Sequence, residues 1–351
     1  MSAALLDRLR ARIAAEGPIS VAEYMATALG DPAEGYYMRR EPFGAAGDFV
    51  TAPEISQMFG ELVGLWCLAA FEAIGTPQHF ALTELGPGRG TLMADLLHTA
   101  RIRPGFVAAA SILLVETSPR LRELQAARLA GHAPQWHDGL ATLPPGPRIV
   151  IANEFFDALP VRQFVRTERG WAERVVGLAG DRLAFGLGPG LPDPHEIPAA
   201  ARSAPPGTII EVARTSAALM TDLAADIAAT GGALIVIDYG HARSGTGDTL
   251  QAVRAHAYAD PLEDPGSADL TCHVDFAALA RAATAAGAVA DPVETQAAFL
   301  LRHGLVERAG RLGAGRDTAT QDAIRAAVQR LAGNGPGEMG DLFKVLVVRG
   351  R

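Results

Sequence analysis

The chain has 351 residues, 49% hydrophobic and 20% charged, with a formal net charge of −8. That length suits one large domain with additions, or two closely packed lobes. No dense run of Lys or Arg offers a nucleic-acid surface. No apolar run approaches the roughly 20 residues of a membrane span, and two cysteines, Cys67 and Cys272, argue against a disulfide framework or a thiolate metal site. His273 beside Cys272 has no further ligand-spaced partners, so no metal is expected.

Residues 1–80 read as mainly helical. Leu5, Leu6, Leu9 and Ile13 recur at helical spacing. The arginines of this start faintly resemble a mitochondrial presequence, but Asp7 and Glu16 favour a first structural helix. Gly17-Pro18 stops it, and Ser20 with Glu23 forms a capping box for the next helix. Residues 30–35 read as a loop and 42–53 as a Gly-rich loop. Glu54 to Ile74 reads as one long helix.

From residue 81 short apolar runs alternate with helical stretches. Strands are expected at 81–85, 111–116, 148–152, 233–238 and 343–348, with helices at 91–99, 119–130 and 216–229. Near-continuous apolar strands between helices predict an α/β fold with a doubly wound, mostly parallel sheet. Residues 161–207, with short strand-like pieces, and the loop-rich 240–275 interrupt the rhythm as insertions. The expected organisation is a helical N-terminal region and lid over 1–80, and a core over 81–351.

Gly86, Gly88 and Gly90 follow the first core strand, where doubly wound sheets bind ligands. Their G-x-G-x-G spacing differs from the dinucleotide fingerprint. Glu84 beside them would repel a pyrophosphate but suits an amino-acid ammonium or a structured water. Glu116, ending the next strand, suits the two hydroxyls of a ribose, or is a solvated loop residue. Asp138 before Gly139 is a candidate for an adenine amino group, or a plain turn residue.

These residues belong to blocks that span almost the whole chain: Gly47–Glu61, Glu84–Asp95, Val115–Pro119, Ala152–Pro160, Ile237–His241, Gly247–Arg254, Asp269–Phe276 and Met339–Leu346. Through them the chain resembles the MidA-like methyltransferase family, which includes a mitochondrial complex I assembly factor. The resemblance implies a class I methyltransferase (Rossmann-like) fold, S-adenosylmethionine as donor and a protein arginine as acceptor. In the known relatives that arginine is on a peripheral-arm subunit of respiratory complex I. A non-catalytic assembly factor and a small-molecule methyltransferase are the alternatives. A nicotinamide-dependent oxidoreductase is disfavoured by the glycine spacing and Glu84. The Ala/Gly/Arg-rich composition suggests a bacterial cytoplasm; a eukaryotic relative would sit in the mitochondrial matrix.

A guanidinium acceptor calls for carboxylates, which pair with two of its nitrogens and leave the third freer to attack. Asn153-Glu154-Phe155-Phe156-Asp157 lies where substrate must meet cofactor. Glu154 is the candidate ligand of the guanidinium. Asp157 supports it or caps a helix, the two phenylalanines wall the channel or fill the core, and Asn153 goes with the cofactor residues. Asp48, in the Gly-rich loop 47–53, is a candidate for the methionine ammonium or for substrate. His241, after the 233–238 strand, is a candidate proton acceptor or a structural histidine.

Overall fold

The apolar runs form the centre of one sheet. The computed structural model describes residues 3–39 and 51–351. The core strands are β1 (Phe80–Leu85), β2 (Ala110–Val115), β3 (Gln135–His137), β4 (Arg148–Asn153), β5 (Gly232–His241) and β6 (Phe343–Arg349). They lie in the order β6-β5-β4-β1-β2-β3, with Val289–Ala290 and Glu294–Thr295 added beside β6. The first five run parallel; β6 returns antiparallel along β5, from Ala233 opposite Arg349 to Tyr239 opposite Phe343. Every residue of β1 and β4 is buried, because helices cover both faces and leave no polar side to the strands. Strand order reverses between β1 and β4, which opens a crevice at their carboxyl ends.

The main helices are α1 (Ala3–Glu16), α2 (Val21–Gly30), α3 (Gln57–Ala73), α4 (Thr91–Ala100), α5 (Pro119–Arg128) and α6 (Arg214–Thr230), of which α2, α4, α5 and α6 line the cavities at this crevice. The Ser20 capping box forms: Glu23 N–H donates to Ser20 Oγ at 3.1 Å and Ser20 N–H to Glu23 Oε2 at 3.0 Å. The expected single helix from Glu54 to Ile74 is instead two. A short helix, Ala52–Ile55, ends at Ser56, whose extended backbone and Oγ, accepting from Met58 N–H at 3.2 Å, cap α3. A serine that can bond locally competes with helix continuation. α3 then packs closely on α4. A Cβ on Gly60 would lie 2.6 Å from Asp95 Cβ, and one on Gly64 3.2 Å from Leu96 Cα.

The insertions form structure of their own. Ile19–Ser20, Arg162–Thr167, Gly170–Ala179, Arg182–Gly188 and Ile209–Val212 pair as an antiparallel sheet. The segment read as loop-rich, 240–275, carries a small antiparallel sheet of Gln251–Arg254, Ala257–Ala259 and Asp269–Thr271. Leu5, Leu9, Tyr24 and Met25 of the first two helices share a core with Val161, Val176, Leu270 and Cys272 of these insertions. The first helices therefore pack on the insertions, while α3 packs with the central sheet.

Candidate active site

A cavity of about 410 Å³ opens at the carboxyl ends of β1, β2 and β4, and a smaller one of about 40 Å³ lies across the glycine loop. The larger is of the size that holds a nucleoside-like ligand. Gly86, Gly88 and Glu154 line both.

The sequence after β1 turns because glycine permits it. Gly86, Gly88 and Gly90 have φ of +59°, +52° and +74°, conformations that side chains disfavour. A Cβ at Gly86 would also meet Phe155 Cδ2 at 2.8 Å. Gln125 of α5 fixes the loop from behind. Its Nε2 donates to Gly88 O at 2.8 Å and to Glu116 Oε2 at 3.3 Å, and its Oε1 accepts from Trp136 Nε1 at 2.8 Å. Glu116 also accepts from Ser118 N–H at 2.8 Å. Burial raises its carboxyl above the ordinary range, and these donors pull it back. Lone pairs remain for hydroxyl donors from the cavity. Asp138 lines the same cavity, mostly exposed, and pairs with Arg122 at 2.5 Å.

Glu84 and Asn153 border the smaller cavity. Glu84 is 3% exposed, and burial pushes its carboxyl up to about 8. Its Oε2 and Asn153 Oδ1 are both buried without a hydrogen-bond partner among the described residues. Two orphaned acceptors in a small cavity beside the glycine loop suit a compact cationic donor such as an ammonium. The helix 52–55 covers this cavity. Glu54 accepts from Thr91 Oγ1 at 2.5 Å and pairs with Arg89 at 3.6 Å.

Glu154 follows β4 in a left-handed conformation, φ +48°, which is uncommon for a side chain of its length. Its Oε1 accepts from Ala52 N–H at 2.9 Å and Asn153 Nδ2 at 3.1 Å. Burial first, and then the nearby Asp157 charge, push its carboxyl up to about 7 against these hydrogen bonds. Phe155 lines the cavity and Phe156 is core, so the two aromatics divide the two roles considered for them. Asp157 begins a turn and not a helix. Its carboxylate is buried and accepts from the Tyr239 hydroxyl, and burial raises it. It is absent from the cavity's lining, as is His241, the last residue of β5. Asp48 lies outside the described residues.

Two features have no local signal in the sequence. Tyr37 lines the cavity and donates to Asp269 Oδ1 at 2.9 Å, 232 residues away. Asp238, in the C-terminal half of β5, is fully buried against the 154–157 loop. In the sequence Asp238 stands only as one member of the Ile237–His241 block. Among the described residues no His/Cys/Asp/Glu cluster has the makings of a metal site, and no helix is long and apolar enough to cross a membrane.

A doubly wound sheet whose last strand is antiparallel, a glycine loop after β1, an acid after β2 and an orphaned carboxylate beside the loop define a class I S-adenosylmethionine-dependent methyltransferase. Residues 62–293 match the sequence pattern of a putative S-adenosyl-L-methionine-dependent methyltransferase family, and the chain belongs to this MidA-like family. It is 36% identical to a Danio rerio protein named protein arginine methyltransferase NDUFAF7, mitochondrial, over 98% of this chain and 86% of that one. It is 40% identical to the Mus musculus protein of that name, over 86% and 74%. A solved structure of a likely methyltransferase from Burkholderia thailandensis, bound to S-adenosyl-homocysteine, superposes with a TM-score of 0.85 at 30% identity, over 99% of this chain and 92% of that one.

Proposed function

We propose that the protein methylates an arginine of a protein substrate, with a peripheral-arm subunit of respiratory complex I as the acceptor. The compartment would be a bacterial cytoplasm, or a mitochondrial matrix for a eukaryotic counterpart. S-adenosylmethionine supplies an electrophilic methyl on a sulfonium, whose sulfur leaves as a neutral thioether. Glu84 and Asn153 Oδ1 hold the ammonium of the donor, Glu116 accepts from its ribose hydroxyls, and Asp138 reaches the adenine amino group. The glycine loop lets the backbone approach the ligand between them.

Glu154 is the observation that carries the acceptor assignment. Its carboxyl sits between the two cavities, beside the place where donor and acceptor meet. Pairing with two guanidinium nitrogens holds the third at near-attack distance. When the new N–C bond forms and the S–C bond breaks, the attacking nitrogen must lose a proton. A carboxyl near 7 can take that proton and pass it to water. Asp157 backs Glu154 with negative charge from inside the fold. Mass spectrometry of recombinant peripheral-arm subunits, incubated with the protein and methyl-labelled donor, tests this reading. A labelled arginine, lost with Glu154→Gln, is expected; label on a small molecule alone would overturn it.

A further inference from the structure

The loop that presents Glu154 carries nothing in its own sequence that compels a left-handed glutamate. The three amides that follow Glu154 are held from 81–83 residues away. Asp238 Oδ2 accepts from three consecutive backbone N–H groups, Phe155 at 3.1 Å, Phe156 at 3.0 Å and Asp157 at 3.2 Å. Oδ1 accepts from Tyr239 N–H at 2.9 Å. All four donors are main-chain atoms, so the carboxylate shapes the backbone without reference to the side chains it carries. Glu154 N–H meanwhile donates to Ile237 O at 2.8 Å, which anchors the start of the turn to β5.

We propose that Asp238 is a positioning residue for methyl transfer: by gathering the 155–157 amides it holds Glu154 left-handed, with its carboxyl on the cavity and Phe155 against Gly86. This role rests on the proposed use of Glu154 toward the acceptor, but not on which acceptor that is. Only an acceptor can serve here. An amide in place of the carboxylate must turn its NH₂ toward either the three loop amides or Tyr239 N–H, and each leaves buried donors facing a donor. The groups that face this cluster are Asp157 and Glu154 from the loop, Tyr239 from β5, and Arg330 from the helix Thr318–Ala332, which acts on Glu154.

The test compares wild type with Asp238→Asn in three measurements. Amide exchange of residues 155–157 reports the clamp directly. The carbon resonance of the Glu154 carboxyl, identified by its absence in Glu154→Gln, reports its titration. Steady-state kinetics reports kcat separately from KM. In wild type the three amides should be protected and Glu154 should titrate near 7. In the variant protection should vanish, Glu154 should titrate toward the ordinary carboxylate range, and kcat should fall about 100-fold, the scale of an ångström's misplacement. S-adenosylhomocysteine should still bind within a few-fold. Protection retained in the variant overturns the proposal, whatever Glu154 does. Should the variant not fold, wild type still decides: amides of 155–157 that exchange as free loop amides overturn it. The first two readouts need no acceptor, so a failed arginine assay and a failed clamp are told apart.

Discussion

The loops after β1 and β4 leave adjacent strands, meet at one crevice and both run through left-handed backbone, yet they reach it by opposite means. The first is permitted: glycines at 86, 88 and 90 take positive φ without steric cost. The second is compelled: Glu154 takes φ +48° at an expense on the order of 1–2 kcal/mol, offset by the hydrogen bonds to Asp238. A loop that must leave room for a ligand can be built from small residues. A loop that must deliver a functional side chain cannot, and needs an outside constraint.

The contrast can be broken from either side. The largest effect is expected for Glu154→Gln, which should lower kcat by about 10²–10⁴-fold and leave S-adenosylhomocysteine affinity near wild type. Because burial raises the Glu154 carboxyl from its ordinary range to about 7, wild-type kcat should climb as pH rises through 7 and the carboxyl ionises. Normal turnover by the variant would make the two loops alike. Gly86→Ala should act in the opposite manner, through structure. Left-handed strain and the 2.8 Å approach to Phe155 should cost about 1–3 kcal/mol of stability and weaken ligand binding, read by thermal unfolding and calorimetry.

Glu84 sharpens the comparison through protons. Its folded value of about 8 lies above the ordinary value of 4.5, so its share of stability is full below 4.5 and is lost as pH rises through 8. An ammonium ligand needs the ionised form. Binding of S-adenosylmethionine at pH 7 should therefore release a proton, seen as a dependence of binding heat on the buffer's ionisation enthalpy. Glu84→Gln should remove that dependence; a variant releasing as many protons as wild type would free Glu84 from the ammonium. The smallest effect belongs to Ser20→Ala, far from both loops. Loss of its cap should cost about 1 kcal/mol and leave kcat unchanged.

Much of this was legible where the signal is local. β1, β4 and β5 are apolar runs buried on both faces, and helices do not imitate them well at that length. The glycine loop, Glu84, Glu116 and Glu154 stand at strand ends, so their position follows once the strands are found. The strands of the 162–188 hairpins were visible only as fragments, because half-exposed faces carry Arg and Gly beside Val and Phe. The strands at 251–271 have three or four residues each, too few to show a period. Asp238, Gln125 and Tyr37 were not legible as site residues: each acts on partners distant in sequence, and nothing in the neighbouring residues announces it.

The core shared by the first helices and the insertions sets a timetable for synthesis. Tyr24 hydrogen-bonds to Pro261 O at 2.5 Å across 237 residues, and Leu5 and Leu9 pack with Leu270 and Cys272. At ordinary elongation rates the apolar faces of α1 and α2 emerge roughly 10–50 s before the last of the segments that cover them. A nascent chain halted near residue 240 already holds Val161, Val176 and the strand that pairs with Ile19–Ser20 but lacks Leu270 and Cys272, so part of this apolar face should stay open to any chaperone that binds exposed leucines. The first two helices are thus made long before they can be fully put in place.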